Sequence, residues 1–227
     1  MGKEIEKHAK IRNHKISFIL DKHIKEGKIN DADVAINFSI PEAAVSNIKL
    51  ALGKNIPVVS GTTGWLNDYE KIVEFSKKTN TSFLYSSNFS LGVNLFFDLN
   101  KKLAKLISSH KDYELKISET HHTEKLDKPS GTAITIAEDI INNSKYLSWT
   151  FEKNNTSEIE IESLRKANVP GTHSVTYSSE IDSIEIKHSA HNRKGFALGA
   201  VVAAEWIIDK KGVFNMSDVI KDPNLNF

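Results

Sequence analysis

Most of the side chains able to do chemistry sit in one run, His121-His122-Thr123-Glu124-Lys125-Leu126-Asp127-Lys128-Pro129-Ser130-Gly131-Thr132-Ala133. Imidazoles titrate near neutrality and a lysine is a fixed cation, so the run holds proton donors of two kinds at short range. Pro-Ser-Gly-Thr then reads as a helix start. The free N–H groups and positive dipole end of such a start can hold a carboxylate or a phosphate. Taken singly, each feature has a plainer reading: Ser130 as a helix cap, the paired histidines as residues of a solvated loop. Together they favour a site for acid–base chemistry on an anionic substrate.

Metal binding is the competing chemistry. His121, His122, Glu124, His173, His188 and His191 supply enough donors, but none forms an H-E-x-x-H pattern or a helical i, i+4 histidine pair. Metal therefore ranks below acid–base use, and no metal is expected.

A second group of residues has the look of a ligand edge. Ser60-Gly61-Thr62-Thr63-Gly64 and Ser86-Ser87-Asn88-Phe89-Ser90 each follow a β-rich run. In open parallel sheets ligands bind beyond the carboxyl ends of strands, where small residues let backbone approach them. Asp21 follows another β-rich run, the place where a dinucleotide-binding fold puts its ribose-binding acid.

The elements that must position these residues fall into two rhythms. β-rich runs at 16–20, 34–38, 56–60 and 82–85, with helical patterns at 42–52 and 67–78, predict a parallel sheet covered by helices. Residues 3–10 read as a helix ahead of the first of these strands. After a helix at 91–107, the pattern predicts a strand at 113–119, a helix at 132–141, and strands at 158–164, 172–177 and 183–188. Strands in succession point to a mixed or antiparallel sheet. A last helix is predicted over 197–209 and a mobile loop over 146–157. Two subdomains follow, with a boundary near Leu91.

Composition narrows the function classes. The 227 residues carry 30 Lys+Arg against 29 Asp+Glu, a net charge of +1, which gives no support to a nucleic-acid binder. Zero cysteines exclude disulfides and thiolate chemistry and fit a reducing compartment. The longest apolar stretch, 196–204, is far shorter than a membrane span. The charged start lacks the apolar core of a signal peptide. A cytoplasmic protein, with no nucleic-acid or membrane partner, is expected.

Glu119 through Ala133 resemble the E-x-H-H-x-x-K-x-D-x-P-S-G-T-A signature of the 4-hydroxy-tetrahydrodipicolinate reductase family, also called dihydrodipicolinate reductase. Supporting matches are Asp33-Val-Ala-Ile-Asn37-Phe-Ser, Gly61-Thr62-Thr63-Gly64, Asn88-Phe89-Ser90-x-Gly92-Val93-Asn94, Val169-Pro-Gly-Thr-His173 and Gly212-Val-Phe-x-Met216-x-Asp218-Val219. The resemblance implies an α/β chain: a Rossmann-like parallel-sheet cofactor domain lacking its first strand (1–91, completed by 193–227), and an α+β mixed-sheet domain for substrate binding and oligomerisation (92–192). It implies NADH or NADPH as cofactor, a small cyclic dicarboxylate as substrate and a homotetramer. His121 would be the acid–base residue and Lys125 the proton donor, with His122, Gly131 and Thr132 on the substrate. Gly2, Asp21, Gly61, Thr62, Thr63, Ser86, Ser87, Asn88 and Phe89 would bind the cofactor, and Arg193 is a candidate carboxylate partner. Met1-Gly2 matches the last two residues of a loop similar to G-x-x-G-x-M-G. The chain departs from the family at Asn37, usually Asp, and at Lys128, often Ala. A non-catalytic dinucleotide-binding relative is the rival reading. The intact His-His-x-x-Lys argues against it, because a binding module needs no proton donors at that spacing.

Overall fold

Val58, Val59, Phe83 and Leu84 are fully buried, as strands covered on both faces must be. The computed structural model describes residues 1–152, 155–192 and 194–225. Its elements run α1 (Gly2–Ile11), β1 (Phe18–Leu20), β2 (Lys25–Gly27), β3 (Ala35–Asn37), α2 (Pro41–Leu52), β4 (Val58–Ser60), α3 (Tyr69–Lys78), β5 (Phe83–Tyr85) and α4 (Leu91–Ile107). They continue with β6 (Glu114–His121), α5 (Gly131–Ile141), β7 (Ser148–Thr150), β8 (Glu158–Arg165), β9 (Gly171–Ser178), β10 (Ser183–Ala190), α6 (Lys194–Ile207), β11 (Val213–Phe214) and α7 (Met216–Ile220). The chain divides into two compact units, Met1–Leu91 with 194–227, and 92–193.

The first unit is a doubly wound α/β layer. Its four strands lie in the order β11-β5-β4-β3, all parallel. Alternation splits each strand between two cores. Val58 and Phe83 pack with Ala44, Ile48 and Leu52 of α2 and Ile72 of α3, while Val59 and Leu84 pack with Ile5 and Ala9 of α1 and the alanines of α6. α6 approaches so closely that a Cβ at Gly199 would overlap the Phe89 carbonyl, so only glycine fits there. Arg12, just past α1, donates from Nε and Nη2 to the two Glu205 carboxylate oxygens, each at 2.7 Å, and so ties α1 to α6.

Two expectations need correction. The run at 16–20 does not join the parallel sheet: β1 pairs antiparallel with β2 in a separate hairpin, Phe18 opposite Gly27 and Leu20 opposite Lys25. Its side chains are too exposed for a central strand, and the Asp21–Ile24 turn reverses the chain where a crossover helix would be required. Within the segment 146–157, Ser148–Thr150 forms an edge strand parallel to β8, its aromatic Trp149 packed on the second unit's core; Lys153 and Asn154 lie outside the described residues. The closing β11 and α7 were not anticipated. α7 carries an Asn215/Asp218 capping box, a signal the sequence does display.

The second unit is a five-stranded mixed sheet in the order β10-β9-β6-β8-β7. β6 is central, parallel to β8 and antiparallel to β9. One face is covered by α4 and α5, through Phe96, Ala104 and Ile107 on the first helix and Ala133, Ile136, Ala137 and Ile140 on the second. Strict alternation directs Leu115 and Ile117, Ile159 and Ile161, and Val175 and Tyr177 into that core. The same alternation continues to the sheet's far end, where the inward residues stop being apolar.

Candidate active site

Continuing inward from Leu115 and Ile117, β6 presents Glu119 and His121. β8 continues from Ile161 to Ser163 and Arg165, and β9 from Val175 back to His173 and Gly171. Register aligns these residues: Glu119 lies opposite Ser163 on one side and His173 on the other, and His121 lies opposite Arg165. Glu119 is fully buried, and His121 and His173 nearly so.

Glu119 is the hub of this cluster. The Ser130 N–H donates to Oε1 at 3.1 Å and to Oε2 at 3.2 Å. Arg165 donates to Oε1 from Nη1 at 3.2 Å and from Nη2 at 3.3 Å. His121 Nδ1 lies 3.2 Å from Oε2, and His173 Nε2 lies 3.8 Å from it. Burial alone would raise the Glu119 carboxyl, but His121, Ser130 and Ser163 around it outweigh burial and hold it well below the usual carboxylate range. It is therefore an anion at neutral pH. Its network fixes the start of α5, where Ser130 caps the helix by accepting from the Ala133 N–H at 3.2 Å. Gly131 and Thr132 form the first turn, and open space surrounds the position a Gly131 Cβ would take.

Arg165 also fixes the loop that carries Lys125. Its Nη2 donates to the Asp127 carbonyl at 2.6 Å, and its Nε lies 3.4 Å from the Lys125 carbonyl. The Lys125 N–H closes a turn onto the His122 carbonyl. Lys125 Nζ meets the Asp127 carboxylate at 2.7 and 2.8 Å. Burial opposes the Asp127 anion, but the lysine overrides it and keeps this carboxyl low. Thus His121, Lys125 and the Ser130–Thr132 helix start, read from one stretch of sequence, are held by a residue forty positions away from Lys125.

In the sequence Glu119 stands only as the first residue of the signature, His173 only as one possible metal donor, and Arg165 has no role. Period-two alternation along three strands is the signal that identifies them, because each breaks an apolar inward series with a polar residue. Glu119, His121 and His173 offer ligand atoms within 4.8 Å of one another, close enough to hold a metal. The guanidinium on the same carboxylate already supplies the positive charge a cation would bring.

His173 is pushed down to about 3, first by burial and then by the facing His121, so it is neutral at neutral pH. The unfolded chain takes up a proton there near the ordinary value of 6.5, while the folded chain refuses it until about 3. Stability is therefore fully present above that ordinary value and is lost on acidification through the window, by at most about 1.4 kcal/mol per pH unit. Urea unfolding at about pH 7 and about pH 5 is expected to show this loss, with a smaller slope in His173→Gln. Equal slopes in the two proteins would remove His173 as the source.

The remaining residues expected at a site, Arg193 aside, lie in the first unit. Asn37, Ser60 and Tyr85 end β3, β4 and β5, so 61–63 and 86–89 sit at the carboxyl edge of the parallel sheet. Asn37 Nδ2 donates to Ser60 Oγ at 3.1 Å and to Thr62 Oγ1 at 3.3 Å, and Thr62 Oγ1 also accepts from the Ser39 N–H at 2.9 Å. An aspartate at position 37 could only accept, so the amide here reverses the direction of these bonds. Thr63 and Ser87 are exposed, Ser86 is half-buried with its hydroxyl on the Asn88 carbonyl, and the Phe89 ring is a core residue packed on Phe38. Gly2 opens α1. Asp21 lies in the β1–β2 turn, its carboxylate accepting from the Lys22 N–H at 2.7 Å. Arg193 lies outside the described residues.

The chain is thus a two-unit α/β protein: one unit is doubly wound, with glycine and hydroxyl residues at the carboxyl edge of its sheet, and the other is a mixed sheet that buries Glu119, His121 and His173 at one end. The family description "Dihydrodipicolinate reductase, N-terminus" matches residues 1–89 and "Dihydrodipicolinate reductase, C-terminus" matches 92–220. The 4-hydroxy-tetrahydrodipicolinate reductase of Christiangramia forsetii is 55% identical over 98% of this chain and 94% of its own length. That of Rickettsia bellii is 39% identical over 98% and 91%. The chain belongs to the dihydrodipicolinate reductase family. Among solved structures, a dipicolinate-bound dihydrodipicolinate reductase from Paenisporosarcina sp. TG-14 shares the fold, with a TM-score of 0.66 and 23% identity over 82% of this chain and 73% of that one.

Proposed function

We propose that this chain reduces 4-hydroxy-tetrahydrodipicolinate to tetrahydrodipicolinate, with loss of water, in diaminopimelate and lysine biosynthesis. The observation that carries the reading is the convergence of His121, the Lys125 loop and the Ser130–Thr132 helix start on the Glu119–Arg165 pair. The bound nicotinamide dinucleotide, NADH or NADPH, supplies the hydride. The donor set at the carboxyl edge of the parallel sheet suits such a group: small hydroxyl side chains at Thr63, Ser86 and Ser87, and glycine backbone at Gly61. In this reading Gly2, Asp21, Gly61–Thr63 and Ser86–Phe89 face the cofactor.

The chain's own residues supply the remaining steps. The N–H groups and positive end of α5 bind a substrate carboxylate at Gly131 and Thr132, with His122 beside them. Charge that develops on the ring as hydride arrives is quenched by a proton, with His121 and Lys125 as the donors. Asp127 orients the Lys125 ammonium until it is needed. The reading includes a homotetramer formed through the second unit and a cytoplasmic location. Among the described residues no helix is long and apolar enough to cross a membrane.

The test is oxidation of NADH and of NADPH, each with enzymatically made 4-hydroxy-tetrahydrodipicolinate. Turnover with neither nucleotide would overturn the reading and favour a binding-only protein. Thr132→Val is expected to weaken dipicolinate binding roughly tenfold or more, the worth of a hydrogen bond to a charged group. Cofactor affinity stays unchanged. Calorimetry that finds dipicolinate binding unaltered would remove the α5 start from the substrate site.

A further inference from the structure

We propose that Glu119 is the positioning residue of this reaction: it keeps the His121 proton on Nδ1, so that Nε2 is the nitrogen offered to substrate. The inference rests on the acid–base role of His121 in the reading above. It names a residue that neither touches substrate in that reading nor belongs to the proton-donor pair.

Three observations support it. First, His121 Nδ1 is buried and makes no aligned hydrogen bond among the described residues, and Glu119 Oε2 lies 3.2 Å from it as an ion-pair neighbour. A neutral imidazole carries one proton, and an acceptor-only carboxylate beside Nδ1 places it there. Secondly, the carboxylate cannot swing away. Its Oε1 faces the Ser130 N–H and both Arg165 terminal nitrogens, and the residue has no exposed surface. Thirdly, the other ring nitrogen lies against a glycine. A Cβ at Gly171 would come within 3.1 Å of His121 Nε2, so the residue opposite is one that leaves this atom approachable. His173 does not compete for the proton, since its Nε2 lies 3.2 Å from Ser130 Oγ and 3.8 Å from Glu119.

The same geometry makes Glu119→Gln a sharp test. A glutamine has the same shape with one acceptor and one NH₂ donor. Both Arg165 terminal nitrogens converge on the Oε1 position, while the Ser130 N–H is shared between the two oxygens, so the amide oxygen settles at Oε1. The NH₂ then occupies the Oε2 position and points at His121 Nδ1. That nitrogen must become the acceptor, and the proton moves to Nε2. The fold is kept and the tautomer is reversed: the neutral ring no longer has a bare Nε2 to take up a proton from solvent and pass it to substrate as the imidazolium, and the carboxylate that would stabilise that cation through Nδ1–H is gone.

The experiment is ¹⁵N NMR of the imidazoles in the full chain, in alkaline buffer where the rings are neutral, alongside steady-state kinetics. For His121 the wild type is expected to show a protonated Nδ1 and a bare Nε2, and Glu119→Gln the reverse. kcat is expected to fall by roughly a hundredfold to ten-thousandfold, while KM and dipicolinate affinity stay within about threefold because the amide oxygen still accepts from the Ser130 N–H and keeps the start of α5 in place. A merely structural role for Glu119 would move stability and leave the tautomer alone. The proposal is overturned if the wild-type ring carries its proton on Nε2, a measurement that needs no variant to fold. It is also overturned if Glu119→Gln retains the wild-type tautomer or its kcat. A wild-type chain that shows the expected tautomer but no turnover would fail the functional reading and leave the positioning of His121 standing.

Discussion

His121→Gln and Lys125→Met are each expected to lower kcat by roughly a hundredfold or more, the usual worth of a positioned proton donor. Stability should change little at Lys125. Among the described residues its ammonium pairs with the exposed Asp127 carboxylate, and ion pairs at the surface contribute about 0–1 kcal/mol. The useful companion is Lys125→Arg. A guanidinium preserves the charge and the pairing with Asp127 but does not release its proton in this pH range. If Lys125 acts as a donor, the arginine variant stays as slow as the methionine one; if it acts only as a cation holding a carboxylate, arginine restores most of the rate. At His121 glutamine retains hydrogen-bonding capacity toward Glu119 and removes the titration. Near-wild-type rates in His121→Gln and Lys125→Met, measured by nicotinamide oxidation with enzymatically made substrate, would remove both from the proton chemistry.

The sequence displays this site unevenly, for physical reasons. His121, Lys125 and Ser130–Thr132 are legible because a strand end, a loop and a helix start follow one another within thirteen residues. Their supports are not local. Arg165 reaches Glu119 only because β8 lies beside β6, and that pairing is a property of the sheet order, which no short window contains. The inward faces are nonetheless written in period two, as Leu115-x-Ile117-x-Glu119-x-His121 and Ile159-x-Ile161-x-Ser163-x-Arg165. Read as continuous faces, both series turn polar at the same end of their strands, and the cluster follows. The β1–β2 hairpin was illegible for the opposite reason. Ile16–Leu20 has β-rich composition, which marks a strand without saying which neighbour it will bond. Lys25–Gly27 has none of the apolar alternation that would have announced its partner, since all three residues are exposed.

Arg165→Met is expected to destabilise the second unit by about 3–5 kcal/mol, the cost of leaving a buried charge without its partner. Glu119 has no exposed surface, while the Arg165 side chain is 17% exposed, so it is the carboxylate that loses its partner out of reach of solvent. The damage extends beyond the carboxylate, because the same side chain holds the carbonyls of Lys125 and Asp127. Loss of kcat should therefore accompany loss of stability, unlike Glu119→Gln, which is expected to affect the rate while the fold persists. Glu119 itself sets the acid limb. A carboxyl held low in the folded state contributes stability that is present above its ordinary titration range and is lost as pH falls through the folded value. In Arg165→Met that loss should begin at milder acid. Combining the two changes separates charge from packing. In Arg165→Met/Glu119→Gln no buried anion remains, so much of the stability should return, while kcat stays low because the loop and the tautomer are both released. Urea unfolding of the four proteins measures this coupling directly. Strict additivity of the two single changes would show that Arg165 and Glu119 act independently, and that the guanidinium is not what allows the carboxylate to remain buried and charged.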